Sequence, residues 1–298
     1  MVLINEPASF PANMWAVVRY LADARRPVPQ ETARALLCPP PLRSPEAGRP
    51  DPTFDNAVRS LTELGLVQAA DGQLILGPSL AQADPDDLDG FLDQLRRAVL
   101  DPDRNSGLGT SDSQVGPRDL VRALAWFLAQ DPLDPPMGMD EIAQRQRDAF
   151  ADDVGRALVN DVRWNRFTYW APALGFAADN LIPSTRTKLV PDCTEAVRRC
   201  LLSRFADRQT RDLGDVLEAI WADLPVLPGG RYSRELGLPV ADVLAPSLSF
   251  ALLRGVEAAW WRLEDPADAP RTVLLTDPSR ADGVRRFSGI TVWGPHDD

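Results

Sequence analysis

The sequence predicts a mainly α protein with small β-hairpins, organised as tandem winged helix-turn-helix modules. Three observations carry this expectation. Twice, and in looser form a third time, three helical segments are followed by a strand–turn–strand pattern. A glycine follows or closes the third helical segment in each copy, at Gly65, Gly175 and Gly255. Between the first two copies lie an acidic amphipathic segment and DPDRNSGLGTSDSQVGP, which has the composition of a linker. The expected organisation is a winged-helix module over 1–80, an acidic helix and linker over 81–116, a second module over 117–206, and a third, winged-helix-like module over 207–298.

The elements follow in order. Pro11–Ala24 reads as a helix because Met14, Trp15, Val17, Val18 and Leu21 recur at helical spacing. PQETARALL is a shorter helix opened by Pro29, and six prolines between residues 39 and 52 make the next stretch irregular. From Thr53, one face carries Phe54, Ala57, Val58, Leu61 and Leu64, and Gly65 supplies the stop. GLVQAADGQLILG then gives two short strands around Ala-Asp-Gly, and Trp15, Leu61, Leu64 and Leu74 are expected in one core. Asp84–Leu100 reads as the acidic helix, with Leu88, Phe91, Leu92, Leu95 and Val99 inward.

The second copy comprises helices over Pro117–Gln130, MDEIAQRQRDAF and NDVRWNRFTYWAPALGF, with a short extra helix near Val154–Val159. FAADNLIPSTRTKLVPD supplies its wing, after which Asp192 and Glu195 form an N-cap and N3 pair for the next helix. In the third copy, LGDVLEAIWADL, YSRELG and LAPSLSFALLRGVEAAW are the helices. WWRLEDPADAPRTVLLTD is a strand–turn–strand, and FSGITVW is a closing strand.

Composition narrows the function classes. With 44% apolar and 25% charged residues and no apolar run of 18, the chain is expected to be soluble and cytoplasmic. The opening MVLINEPASFP lacks the basic start and long apolar core of a signal peptide. Three cysteines, Cys38, Cys193 and Cys200, suit reduced thiols. Cys193 and Cys200 lie seven apart on one helix and read as small buried residues.

No catalytic constellation emerges, so no enzymatic activity, cofactor or metal is expected. The single histidine, His296, sits two residues from the end of the sequence. The single lysine, Lys188, lies in RTKLV and not in a phosphate-binding loop. DPDDLDG fails as a calcium loop, because Asp84 at its first position would put Leu88 at a ligand position and leave no glycine at the sixth. The carboxylate pairs Asp152–Asp153 and Asp140–Glu141 stand at helix starts, where acids favour the helix dipole.

Net charge is −11, which argues against whole-surface binding of nucleic acid. Bases and acids number 7 and 8 over 1–80, 3 and 8 over 81–116, 12 and 12 over 117–206, and 10 and 15 over 207–298. The third helix of the first copy is expected to expose Asp55, Asn56, Arg59, Ser60 and Glu63, a face that repels phosphate and suits a protein partner. In the second copy, Arg163, Asn165, Arg166 and Tyr169 lie on the expected outer face, with Arg186 and Lys188 on the wing. Residues 156–188 hold five bases and two acids, and arginine and asparagine are base-edge readers. These six residues are the candidate nucleic-acid contacts. The same groups also suit a solvated face, with Trp164 and Trp170 serving the core.

The opening LINEPASFP, then MWAVVRYLADARRPV and FDNAVRSLTELGLV, resembles the start of the DpdG proteins. These occur in bacterial gene clusters that insert 7-deazaguanine derivatives into DNA and restrict unmodified DNA. The resemblance implies a non-catalytic component of a phage-defence system, beside helicase and nuclease partners, and carries over no catalytic residue. The expected function is therefore a winged-helix subunit of a DNA modification or restriction complex. It would contact other proteins of that complex and, through the second module, double-stranded DNA, with no membrane. The alternative is a stand-alone winged-helix transcriptional regulator, against which the acidic third helix of the first copy and the charge-neutral second copy count.

Overall fold

Pro11 occupies the first turn of helix α1 (Pro11–Ala24), where its missing N–H costs nothing, and Met14, Val17, Val18 and Leu21 form the buried stripe. The computed structural model describes residues 3–4, 9–39, 52–109, 116–149, 157–180, 187–265 and 271–293. Strand β1 (Val28–Pro29) and helix α2 (Gln30–Leu37) follow, then helix α3 (Thr53–Glu63).

Helix α3 ends as the sequence requires. Gly65 has φ +71°, the Leu66 N–H reaches Leu61 O at 2.9 Å, and the Gly65 N–H reaches Thr62 O at 3.0 Å. This double bond pattern satisfies carbonyls that would otherwise be orphaned. Strands β2 (Val67–Ala70) and β3 (Gln73–Leu76) make the expected hairpin. Its turn holds Asp71 at φ 51° and Gly72 at φ 72°, the left-handed pair that matches strand twist. Strand β1 pairs with β3, giving the antiparallel order β1-β3-β2.

Leu61, Leu64 and Leu74 are buried to 2% exposure or less, each contributing about 1.5–3 kcal/mol. Trp15 departs from the expectation: it is half-buried and rests on Phe91, with ring centroids 5.4 Å apart. Phe91 belongs to helix α4 (Leu88–Leu100), which begins four residues later than expected. Asp87 caps it by accepting the Gly90 N–H at 2.8 Å, so Leu88 falls at the start and is 42% exposed.

Helices α5 (Arg118–Leu128), α6 (Met139–Ala149) and α7 (Asp161–Ala173) appear where periodicity places them. Residues 157–159 are not helical, and the rest of the short helix expected near Val154 lies outside the described residues. Gly175, at φ +77°, ends α7, and β4 (Ala178–Asp179) pairs antiparallel with β5 (Leu189–Val190). Helix α8 (Thr194–Phe205) starts differently from the expected capping pair. Asp192 accepts the Thr194 N–H at 2.8 Å, but Glu195 takes Arg198 and Arg199 instead of the backbone. Burial opposes ionisation of Glu195, yet the hydrogen bonds from these two guanidiniums outweigh it and hold the carboxyl below its ordinary range.

The remaining elements are β6 (Asp207–Asp212), α9 (Leu213–Asp223), α10 (Arg231–Glu235), β7 (Val243–Leu244), α11 (Pro246–Glu257), β8 (Trp261–Glu264), β9 (Val273–Thr276), β10 (Val284–Phe287) and β11 (Gly289–Trp293). Two expectations fail here. The strands β8 and β9 do not form a hairpin. Strand β8 joins the antiparallel sheet β6-β11-β8, while β9 joins β10-β9-β7, antiparallel to β10 and parallel to β7. The buried run of β11, Gly289–Val292, demands a neighbour on each side, and β8 supplies one.

Gly255 is also not the residue that ends α11. It lies inside the helix, and the left-handed turn falls on Ala259 (φ 57°), with the Trp260 N–H on Gly255 O at 2.9 Å. Gly255 is required for a different reason: a Cβ there would sit 1.8 Å from Trp261 Cζ2.

The architecture is thus mainly α with small, largely antiparallel sheets. Two compact units are built from non-consecutive segments: 1–106, 113–120 and 165–174 in the first, and 107–112, 121–164 and 175–298 in the second. The organisation expected from sequence, by contrast, is linear. Among the described residues, no helix is long and apolar enough to cross a membrane.

Candidate functional site

In the first unit, the outer side of α3 is narrower than its sequence suggests. Arg59 and Glu63 are exposed and Asp55 is half-buried, but Asn56 and Ser60, expected outside, are only 8% and 4% exposed. At about 100° per residue, the buried set Phe54, Asn56, Ala57, Val58, Ser60 and Leu61 covers more than half of the helix circumference. Packing on both flanks therefore claims positions that a single apolar stripe would leave in water. Asp55 is engaged by Arg34 of α2 at 2.6 Å, and that guanidinium lies 5.6 Å from the Phe54 ring centroid. Among the described residues of α3, the face that remains carries one cation, Arg59, beside Glu63.

The six residues expected to contact nucleic acid are distributed as follows. Arg163 and Lys188 belong to the second unit, and Asn165, Arg166 and Tyr169 to the first. Arg186 lies outside the described residues. Arg163 donates from Nη1 to Ala157 O at 3.0 Å, while Asn160 Oδ1 accepts its backbone N–H at 2.9 Å. Lys188 Nζ donates to Glu141 Oε1 at 2.7 Å, and Glu141 Oε2 accepts the Gly138 N–H at 3.0 Å. The Lys188 ammonium thus holds the Glu141 carboxyl below its ordinary range, and this cation is matched by an acid. Asn165 is exposed and Arg166 half-buried. Tyr169 is 62% exposed, its ring meeting Phe10 edge-on at 5.1 Å. Trp164 and Trp170 serve the core: Trp164 is 3% exposed with its indole N–H on Thr187 O, and Trp170 is fully buried with its own on Ser9 O at 3.0 Å.

Replacing Lys188 by methionine should move the Glu141 titration back up toward an ordinary carboxylate, read by carbon-detected NMR. Because both partners are about a third exposed, the accompanying loss of stability should stay below about 1 kcal/mol. A folded pKa below the unfolded one makes that contribution present above the unfolded pKa. It is lost as pH falls through the folded value, so the two proteins should converge in stability at acid pH. An unmoved Glu141 titration would count against the pairing.

All three cysteines are free thiols. Cys193 is fully buried against Ser247 O, and burial pushes its thiol far above the ordinary range. Among the described residues, no group of three or more His, Cys, Asp or Glu side chains is placed to hold a metal ion. The sequence reading missed the Glu141 partner of Lys188 and the Asp55 partner of Arg34. Both lie on other elements, and nothing local to the cations marks them.

The fold and these surfaces define a mainly α, small-sheet protein of two units, whose candidate cations are in part already paired with acids. The model of the DpdG-like family matches residues 1–269, and the chain belongs to that family. No curated protein and no solved structure matches it.

Proposed function

We propose that this chain is a non-catalytic winged-helix subunit of a bacterial DNA modification and restriction system, acting through contacts with other proteins of the complex. Membership of the DpdG-like family supports the setting, a phage-defence cluster that handles 7-deazaguanine in DNA. The order helix, strand, helix, helix, hairpin, with sheet order β1-β3-β2, supports a winged-helix reading of the first unit. The observation that carries the protein-contact reading is the state of the cations. Of the candidate contacts, Lys188 is held by Glu141, and Arg34, beside the α3 face of the first unit, is held by Asp55. Binding to duplex DNA draws its affinity from cations that displace counterions, and paired cations displace few.

Salt-dependent anisotropy with a labelled DNA duplex tests this directly. The isolated protein should bind DNA no tighter than about 10⁻⁶ M, the range of non-specific contact, with a shallow salt slope. Replacing both Arg163 and Arg166 with glutamate should abolish that binding with the fold intact, whereas Arg59→Glu should change little. Nanomolar, sequence-selective binding by the isolated chain would instead identify a stand-alone regulator. Stoichiometric zinc, or nuclease activity lost on changing one carboxylate, would overturn the non-catalytic reading.

A further inference from the structure

In the second unit, a cleft of about 480 Å³ lies between α9 and the β7–β9 strand pair. That volume is within the range of ligand-sized clefts. Gly214, Leu217 and Trp221 line it at i, i+3 and i+7, so one face of α9 forms a wall. The continuous run 239–246 forms another, together with β9. Ser249 of α11, itself fully buried, ties that wall together. Its Oγ donates to Leu244 O at 2.9 Å and accepts the Thr276 N–H at 3.0 Å, linking β7 to β9.

Three properties of the cleft define what it would take. Val240, Ala241 and Asp242 are exposed and lead directly into β7, an outer strand of its sheet. Unused amides and carbonyls along an outer strand are a template for one more strand. The lining includes apolar groups: Val240 is 62% exposed, the Trp221 indole is half-buried, and Leu217 lies at the back with 2% exposure.

The third property is charge. The lining holds the guanidiniums of Arg234 and Arg271 and the carboxylate of Asp242, within a block, 207–298, where acids outnumber bases 15 to 10. Arg271 is engaged by Asp215 at 3.1 Å and Asp212 at 3.7 Å. Arg234 has no carboxylate within ion-pair distance among the described residues, and its guanidinium lies 6.0 Å from the Trp221 ring centroid. A planar cation placed over an indole and lacking a counter-ion suits a carboxylate.

We propose that this cleft captures an extended, acidic peptide segment of a partner protein. The segment adds as a strand beside residues 240–244, with a carboxylate on Arg234 and an apolar side chain against Leu217 and Trp221. This site is separate from the α3 face and depends on neither DNA nor the identity of the complex.

Random twelve-residue peptides displayed on phage, selected on the immobilised full chain, test it. Enriched sequences should alternate apolar and polar positions and carry aspartate or glutamate. A synthetic copy of the leading peptide should shift the amide signals of Val240–Leu244 and the Trp221 indole N–H in the unmodified protein. Arg234→Glu should weaken its binding at least ten-fold. Arg254→Glu, on an exposed residue outside the cleft lining, should leave it unchanged. Failure to enrich any peptide, shifts confined to other residues, or equal binding by Arg234→Glu would each overturn the proposal.

Discussion

Replacing Gly255 by valine is expected to cost the second unit about 3 kcal/mol or more, a large share of the margin by which a domain of this size is folded. The helix runs so close to the Trp261 ring that a Cβ would lie 1.8 Å from Cζ2 and 2.0 Å from Cε2. Trp261 cannot swing aside, because it is 1% exposed and its indole N–H donates to Leu252 O at 2.8 Å. Strand β8, which carries Trp261, is in turn fixed by its pairing with β11. Urea unfolding of the single variant, followed by tryptophan fluorescence, measures the loss.

A double variant separates steric conflict from a mere helix-propensity effect. Gly255→Ala and Trp261→Phe each destabilise alone, but phenylalanine lacks the outer indole atoms with which the new methyl collides. Their combination should therefore be less harmful than the sum of the two, by about 1 kcal/mol. Strict additivity would show that Gly255 and Trp261 do not conflict.

Asp119→Ala should have the second large effect, about 3 kcal/mol, and in the other unit. Asp119 is fully buried near the start of α5, where a negative charge also favours the helix dipole. Its carboxylate accepts the Ile4 N–H at 2.9 Å and the Leu3 N–H at 3.1–3.2 Å, and Oδ1 takes the Leu120 N–H at 2.8 Å. Leu3 and Ile4 are themselves fully buried, so these amides have no water to fall back on. Hydrogen bonds to a charged acceptor contribute about 1.5–3 kcal/mol each, and removing the acceptor leaves the donors stranded. Hydrogen exchange gives the sharper reading: the Leu3 and Ile4 amides should lose protection in Asp119→Ala well before the α1 core does. Unchanged protection at those two positions would show that the carboxylate does not hold them.

What the sequence determines by itself is whatever acts over a few residues. The 3.6-residue spacing of Met14, Val17, Val18 and Leu21, the stop at Gly65 and the left-handed Asp71-Gly72 turn are physical requirements of the local backbone, and α1, α3 and β2–β3 appear where they point. The family is legible in the same way, from contiguous segments near the start of the chain. Tertiary structure alone decided which strand meets which. Strand β8 pairs with β11, nearly thirty residues on, and not with β9, because the buried run of β11 needs a neighbour on each side. It alone assigned Gly255 to a packing contact instead of a helix end, since a glycine reads the same in sequence whether φ or space demands it. It alone matched Lys188 to Glu141, 47 residues away. A cation's sequence neighbours reveal its charge, but only the folded chain sets the short distance and partial burial that decide whether an acid of the same molecule or a phosphate of another will neutralise it.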